Sequence, residues 1–272
     1  MAANAQTLRP TPAVRVKQIA LPTEHGGWGL LLEPMVAALA IAFSSSGAWI
    51  ALMFAGAFLM RQPLKIYVLD RRGMRNDARA AVALRYLMIY AVVVAAGVAG
   101  TAVTCTLTPL LPLIAVLPLA ALQIYYDIFR RSRNLVPELA GAVAISSSAA
   151  AIALAGGQAV SLSIGLWIVI VARIIPSILY VRERLLLEKG KPYSRTLSTV
   201  AHLVAAAAAA VLAINGLISV LAVPVMLFLL YRAVIGLSPR RTKLKAMQIG
   251  VREVIYGAAL VLAIVIGRFI GI

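Results

Sequence analysis

Two groups of polar residues stand inside otherwise apolar stretches, and their types suit the binding of an anion. Arg61 and Lys65 are four residues apart, which puts them on one helix face if Pro63 leaves the turn intact. Arg173 is followed by Ser177, Tyr180 and Arg184 at i+4, i+7 and i+11, so one stripe carries a guanidinium, a hydroxyl, a phenol and a second guanidinium. Such cations hold a phosphate or carboxylate directly, without a bridging metal. Snorkelling to the lipid surface is the alternative for Lys65 and Arg61. The Arg173 stripe either lines a cavity or binds a neighbouring helix.

Carboxylates supply the partners. Glu33 precedes Pro34, Glu138 follows Pro137, and Arg252 precedes Glu253. An unpaired carboxylate in hydrocarbon is costly, so each is expected to be protonated, paired or near water. Glu33 with Arg61 or Arg173 is the preferred pairing, and a structural helix–helix pair is its plainer reading. Upstream lies Glu24-His25-Gly26-Gly27-Trp28-Gly29. Trp28 reads as an interfacial anchor, and His25 beside Glu24 suits acid–base work near neutral pH. Glu24, His25 and Glu33 are therefore the catalytic candidates, whereas His202, in an alanine-rich run, reads as a helix-packing hydrogen-bonder. There is no Walker-type loop, no paired-histidine metal spacing and no nucleophile elbow. The residues specify no metal site and no cofactor, and the single cysteine, Cys105, excludes an internal disulfide.

The elements that must position these groups are transmembrane helices. Of 272 residues, 62% are apolar and 13% charged, about half the charge of an ordinary soluble domain. Apolar runs centre on 28–44, 47–66, 86–105, 107–126, 136–156, 159–181, 197–214, 217–235 and 251–271. The chain therefore reads as an all-α polytopic membrane protein of nine spans. Residues 1–27 form a cytoplasmic tail and 28–272 a single transmembrane domain. The second span is apolar only from Gly47 to Met60, so it must carry Arg61 and Lys65 into or beside the headgroup layer. In the sixth, Arg173 lies roughly 12 Å before the span's cytoplasmic end at about 1.5 Å per residue.

The net charge of +17 has a topological explanation. All but one of the 26 Lys and Arg fall in the N-terminal tail or around the ends of spans two, four, six and eight, and the intervening turns hold none. An odd number of spans with the N-terminus cytoplasmic and the C-terminus outside produces that alternation. Nucleic-acid binding becomes unnecessary to explain the charge. No cleavable signal peptide is visible in the first 27 residues. Spans one and two also echo in five and six: a Glu-Pro or Pro-Glu pair opens one, and a basic extension ends the next. Spans one to four and five to eight thus form a parallel pseudo-repeat, with span nine added.

The segment Leu21-Pro22-Thr23-Glu24-His25-Gly26-Gly27-Trp28-Gly29, with Arg61-Gln62-Pro63-Leu64-Lys65 and Arg71-Arg72, resembles the YwiC-like family of bacterial membrane proteins. The nine helices with polar extensions after spans two and six resemble, more distantly, the UbiA superfamily of intramembrane prenyltransferases. Tyr125-Tyr126-Asp127-Ile128-Phe129-Arg130-Arg131, leading into Leu135-Val136-Pro137-Glu138, is similar to that superfamily's connection between helices four and five. The resemblance implies a bacterial inner-membrane protein with a UbiA-like bundle. It also implies magnesium held by aspartate-rich motifs, but here Lys65 and Arg184 fall near where such aspartates belong, and Asp70, Asp77 and Glu183 do not reproduce either spacing.

The expected function is a cytoplasm-facing basic polar cavity that takes a lipid or isoprenoid phosphate, in a UbiA-like enzyme or binder that is not a standard magnesium-dependent prenyltransferase. Arg61, Lys65, Arg173, Ser177, Tyr180, Arg184 and Glu138 are the expected ligand contacts. The expected partners are the bilayer and such an anionic lipid. A small-anion transporter or exporter and a noncatalytic membrane scaffold are the competing readings.

Overall fold

Each of the nine apolar runs becomes helical in the computed structural model of the protein, which describes residues 16–22, 25–73, 77–129 and 134–272. The helices are α1 (Val16–Ala20), α2 (His25–Ile41), α3 (Ser45–Gly73), α4 (Asp77–Thr104), α5 (Leu111–Ile128), α6 (Leu135–Ser146), α7 (Ser148–Ala155), α8 (Val160–Glu188), α9 (Thr196–Ile214), α10 (Ala222–Gly236) and α11 (Ala246–Ile270). A short 3-10 turn, Thr108–Leu110, leads into α5. No strand occurs among the described residues. Among the described residues, seven segments are long and apolar enough to cross a membrane, with 135–155 taken as one. Gly27–Ile41 and Ala222–Gly236 are shorter apolar helices.

The polar ends of two spans stay helical. Both α3 and α8 have 29 residues, or roughly 43 Å at about 1.5 Å per residue, against about 30 Å of hydrocarbon. Pro63 and Pro176 interrupt neither helix. The basic extensions are thus rigid continuations of their spans, which fixes Arg61 and Arg184 relative to the bundle.

The run at 136–156 is split instead. Ser146, Ser147 and Ser148 turn their hydroxyls back onto the carbonyls of Val143, Ala144 and Ile145 at 2.9, 2.7 and 2.8 Å. Three successive hydroxyls competing for the same backbone acceptors explain the break between α6 and α7. The run predicted from 217 begins later, at Ala222, because Gly216 ends α9 with φ 67°.

Small residues bring the helices together, as in other membrane bundles. Ala149, Ala150, Ala151 and Ile152 of α7 are fully enclosed. A Cβ on Gly97 would lie 2.6 Å from the Met53 backbone nitrogen, so α3 and α4 can touch only because that atom is missing. The outer surface is apolar, with Val92 of α4 and Leu117 of α5 largely exposed. That suits a hydrocarbon surround, where the hydrophobic effect does not draw such side chains inward.

Candidate functional site

A chain of buried charges crosses the middle of the bundle. Arg173 of α8 directs Nε at Glu33 of α2 (3.3 Å) and NH2 at Glu253 of α11 (3.8 Å), and also donates to the Glu253 carbonyl. The other Glu253 oxygen takes Arg232 of α10. Arg232 lies 3.9 Å from the Tyr180 ring centroid and 5.4 Å from that of Tyr256, a cation–π arrangement. Its NH2 meets Nε2 of His202 on α9 at 3.2 Å, while His202 Nδ1 lies 2.8 Å from the Ser198 carbonyl. Both contacts are satisfied when Nδ1 carries the proton and Nε2 accepts. Two carboxylates and two guanidiniums thus join α2, α8, α10 and α11, with Glu33, Arg173 and Glu253 buried, Arg232 mostly so, and α9 attached through His202.

The packing makes room for this network. A Cβ on Gly257 would overlap the Glu33 carboxylate, and one on Gly29 would lie 3.1 Å from Glu33 Oε1. Gly236 similarly leaves space for the Tyr180 hydroxyl. The Ser177 hydroxyl is buried without a hydrogen bond among the described residues.

Further along α8, Arg184 donates to the carbonyls of Gly236 and Thr242, the latter at 2.5 Å, and pairs with Glu188 at 2.7 Å. It therefore satisfies the end of α10, whose last carbonyls lack helical partners. Glu188 also meets Arg241 at 3.6 Å. Tyr193 donates to the Leu237 carbonyl at 3.3 Å, and Glu183 accepts the Ser194 amide at 2.6 Å.

A separate group surrounds the connection between α5 and α6. Arg61 of α3 grips Asp127, near the end of α5, through Nε (2.5 Å) and NH2 (3.1 Å). In the amide orientation that satisfies both side chains, the Gln123 oxygen accepts from Arg61 NH1 at 3.1 Å. Gly141 of α6 has no Cβ to displace that amide. On the other flank, Arg182 of α8 reaches Glu138 at 2.7 Å. The Arg61 and Arg182 side chains remain 34% and 37% exposed, whereas Asp127 is buried. The α5–α6 corner is therefore bracketed by two oriented, partly accessible guanidiniums.

The expected site residues thus fall into three groups. Arg173, Ser177 and Tyr180 lie in or beside the central network with Glu33; of the two partners expected for Glu33, Arg173 is the one present. Arg184 belongs to the α8–α10 junction, and Arg61 and Glu138 to the α5–α6 corner. Lys65 lies one turn beyond Arg61 on α3. Glu24 and the His25 side chain lie outside the described residues. His202 is the packing hydrogen-bonder it was expected to be. Asp127 was not expected as a partner, nor was Arg232, which had been grouped with the cations around the end of span eight and sits inside α10.

Two acidic groups of the extensions are already engaged by protein partners. Asp70 is claimed by Arg79 through two contacts of 2.5 Å, and Glu183 by the Ser194 amide. Among the described residues no three His, Cys, Asp or Glu side chains gather at one point.

Comparison with known proteins agrees with this architecture. Residues 21–153 match the family described as YwiC-like protein. No curated protein matches the chain in sequence. Among solved structures, a digeranylgeranylglyceryl phosphate synthase studied in membranes superposes with a TM-score of 0.58, covering 94% of this chain and 95% of that one at 10% identity. At that identity the likeness is one of fold. Residues 21–153 therefore carry a YwiC-like sequence, and the bundle as a whole has a UbiA-like membrane fold.

Proposed function

We propose that this multi-pass membrane protein binds the phosphate head of a lipid or isoprenoid at the α5–α6 corner, with cations replacing magnesium. Arg61 and Lys65 contact the head from α3 and Arg182 from α8, while the apolar bundle accommodates the tail. The carrying observation is the pair of braced guanidiniums, each fixed by a carboxylate yet about one-third exposed. Bracing sets the direction of the remaining N–H donors, which favours planar recognition of a phosphate. In this reading Arg173 and Arg184 hold the helices in place. The nine spans run from a cytoplasmic N-terminus to an external C-terminus in the inner membrane, so the corner faces the cytoplasm.

The test is native mass spectrometry of the purified full chain with farnesyl phosphate and farnesyl diphosphate, in EDTA and in magnesium. Saturable binding that persists in EDTA and falls at least tenfold in an Arg61→Gln/Lys65→Gln variant supports the reading. Binding that requires magnesium, or survives both substitutions, sinks it.

The central network favours a second reading, a small-anion transporter, because intramembrane Glu and Arg mark ion pathways. In that case proteoliposomes show anion flux that Glu33→Gln abolishes. Absence of flux in the unmodified protein removes this alternative.

A further inference from the structure

At the end of the bundle away from Arg61, where α2, α7, α9 and α11 stop and α8 begins, the helices leave a cavity of about 250 Å³. Ile41, Leu162, Leu166, Ala213, Leu217 and Ile264 form its apolar wall. Three polar side chains also line it: the Ser219 hydroxyl accepts the Leu221 amide at 3.1 Å, and Arg268 donates to the Gln158 side-chain oxygen at 3.2 Å. The partner of this arginine is thus a neutral amide, unlike Arg61, Arg173, Arg182 and Arg232, which meet carboxylates.

That composition specifies a ligand with one apolar tail and one anionic head. Arg268 spends a single N–H on Gln158, which leaves further guanidinium donors and the Gln158 amide N–H groups for an incoming acceptor. A carboxylate, with two acceptor oxygens, matches such a set. The volume is slightly below the roughly 300 Å³ lower bound of clefts that hold drug-sized molecules. It takes the head-proximal part of one acyl chain and is too small for the bulk of a two-chain lipid.

We infer that this cavity binds a single-chain fatty-acid carboxylate, with the chain against Leu162, Leu166 and Leu217 and the head on Arg268 and Gln158. The site is distinct from the α5–α6 corner, lies at the opposite end of the bundle and does not depend on phosphate binding there.

The experiment is native mass spectrometry of the detergent-purified full chain titrated with palmitate, with hexadecanol and phosphatidylglycerol in separate arms. One saturable palmitate adduct is expected. Ala213→Trp, which fills the cavity, lowers its affinity more than tenfold, and Arg268→Gln lowers it roughly tenfold, as loss of a hydrogen bond to a charged group implies. Hexadecanol, with the same tail but no charge, binds more weakly than palmitate. The inference is overturned if palmitate binding does not saturate, or if Arg268→Gln leaves it unchanged. Equal binding of hexadecanol, or displacement of palmitate by equimolar phosphatidylglycerol, overturns it too, the latter by identifying a two-chain lipid as the occupant. Arg268 is exposed, so its substitution keeps the test decisive even if Ala213→Trp prevents folding.

Discussion

Arg173 and Glu33 face each other at 3.3 Å across the α2–α8 contact, both almost completely buried. Arg173 also serves Glu253, so one guanidinium compensates carboxylates from two helices. Removing it leaves Glu33 without its cation and Glu253 with Arg232 alone. Arg173→Gln is expected to destabilise the protein by roughly 3–5 kcal/mol, the usual cost of breaking a buried ion pair. Adding Glu33→Gln to that variant should recover part of the loss. Unfolding midpoints in an SDS titration of the two variants check this, and a double variant no more stable than Arg173→Gln counts against the pairing.

Gly257 is required because Glu33 occupies the space of its missing Cβ. Gly257→Ala should therefore cost roughly 1–3 kcal/mol through overpacking. In a Glu33→Ala background, where the carboxylate is gone, the same substitution should cost little. A double-mutant cycle on stability reads the coupling directly, and additive effects would show that the clash lies elsewhere.

At the α5–α6 corner, the buried partner is Asp127 and the accessible one is Arg61. Arg61→Gln strands a buried carboxylate, whereas Asp127→Asn leaves a partly solvated cation. The first should therefore lower the thermal midpoint in detergent more than the second. Equal midpoints would mean that Asp127 is better solvated than its burial implies.

Arg184 fastens the segment after α10 through the carbonyls of Gly236 and Thr242. Lysine keeps the charge but lacks the planar fork that spans two acceptors. Arg184→Lys should accelerate tryptic cleavage at Arg240, Arg241 and Lys243, measured on inverted membrane vesicles. Access in inverted but not right-side-out vesicles also assigns this end to the cytoplasm. Unchanged cleavage would mean that Glu188 and Tyr193 hold the segment without Arg184.

The helices were legible in the sequence because long hydrophobic runs mark the segments that fold against one another and against lipid. The pairing of Glu33 with Arg173 was legible too, since two opposite charges deep in apolar runs have few acceptable outcomes. Asp127 and Arg232 were not, because hydropathy does not say which helices are neighbours. Arg232 lies four residues before the end of α10 and reads equally well as a loop cation until Glu253 is placed beside it. The Ser146-Ser147-Ser148 run did carry a local signal for the break between α6 and α7. Its three hydroxyls prefer nearby carbonyls, but their neighbours are apolar enough to hide the interruption in a hydropathy average.

The central network also imposes an order on synthesis. Glu33 is made about 140 residues before Arg173 and about 200 before Arg232. At roughly 5–20 residues per second, α2 waits some 7–28 s for its cation. During that interval its carboxyl must be protonated, sheltered by the insertion machinery or kept at the aqueous boundary. α2 gains its buried ion partner only after α8 arrives, so a contact that starts with α2 is closed late in synthesis.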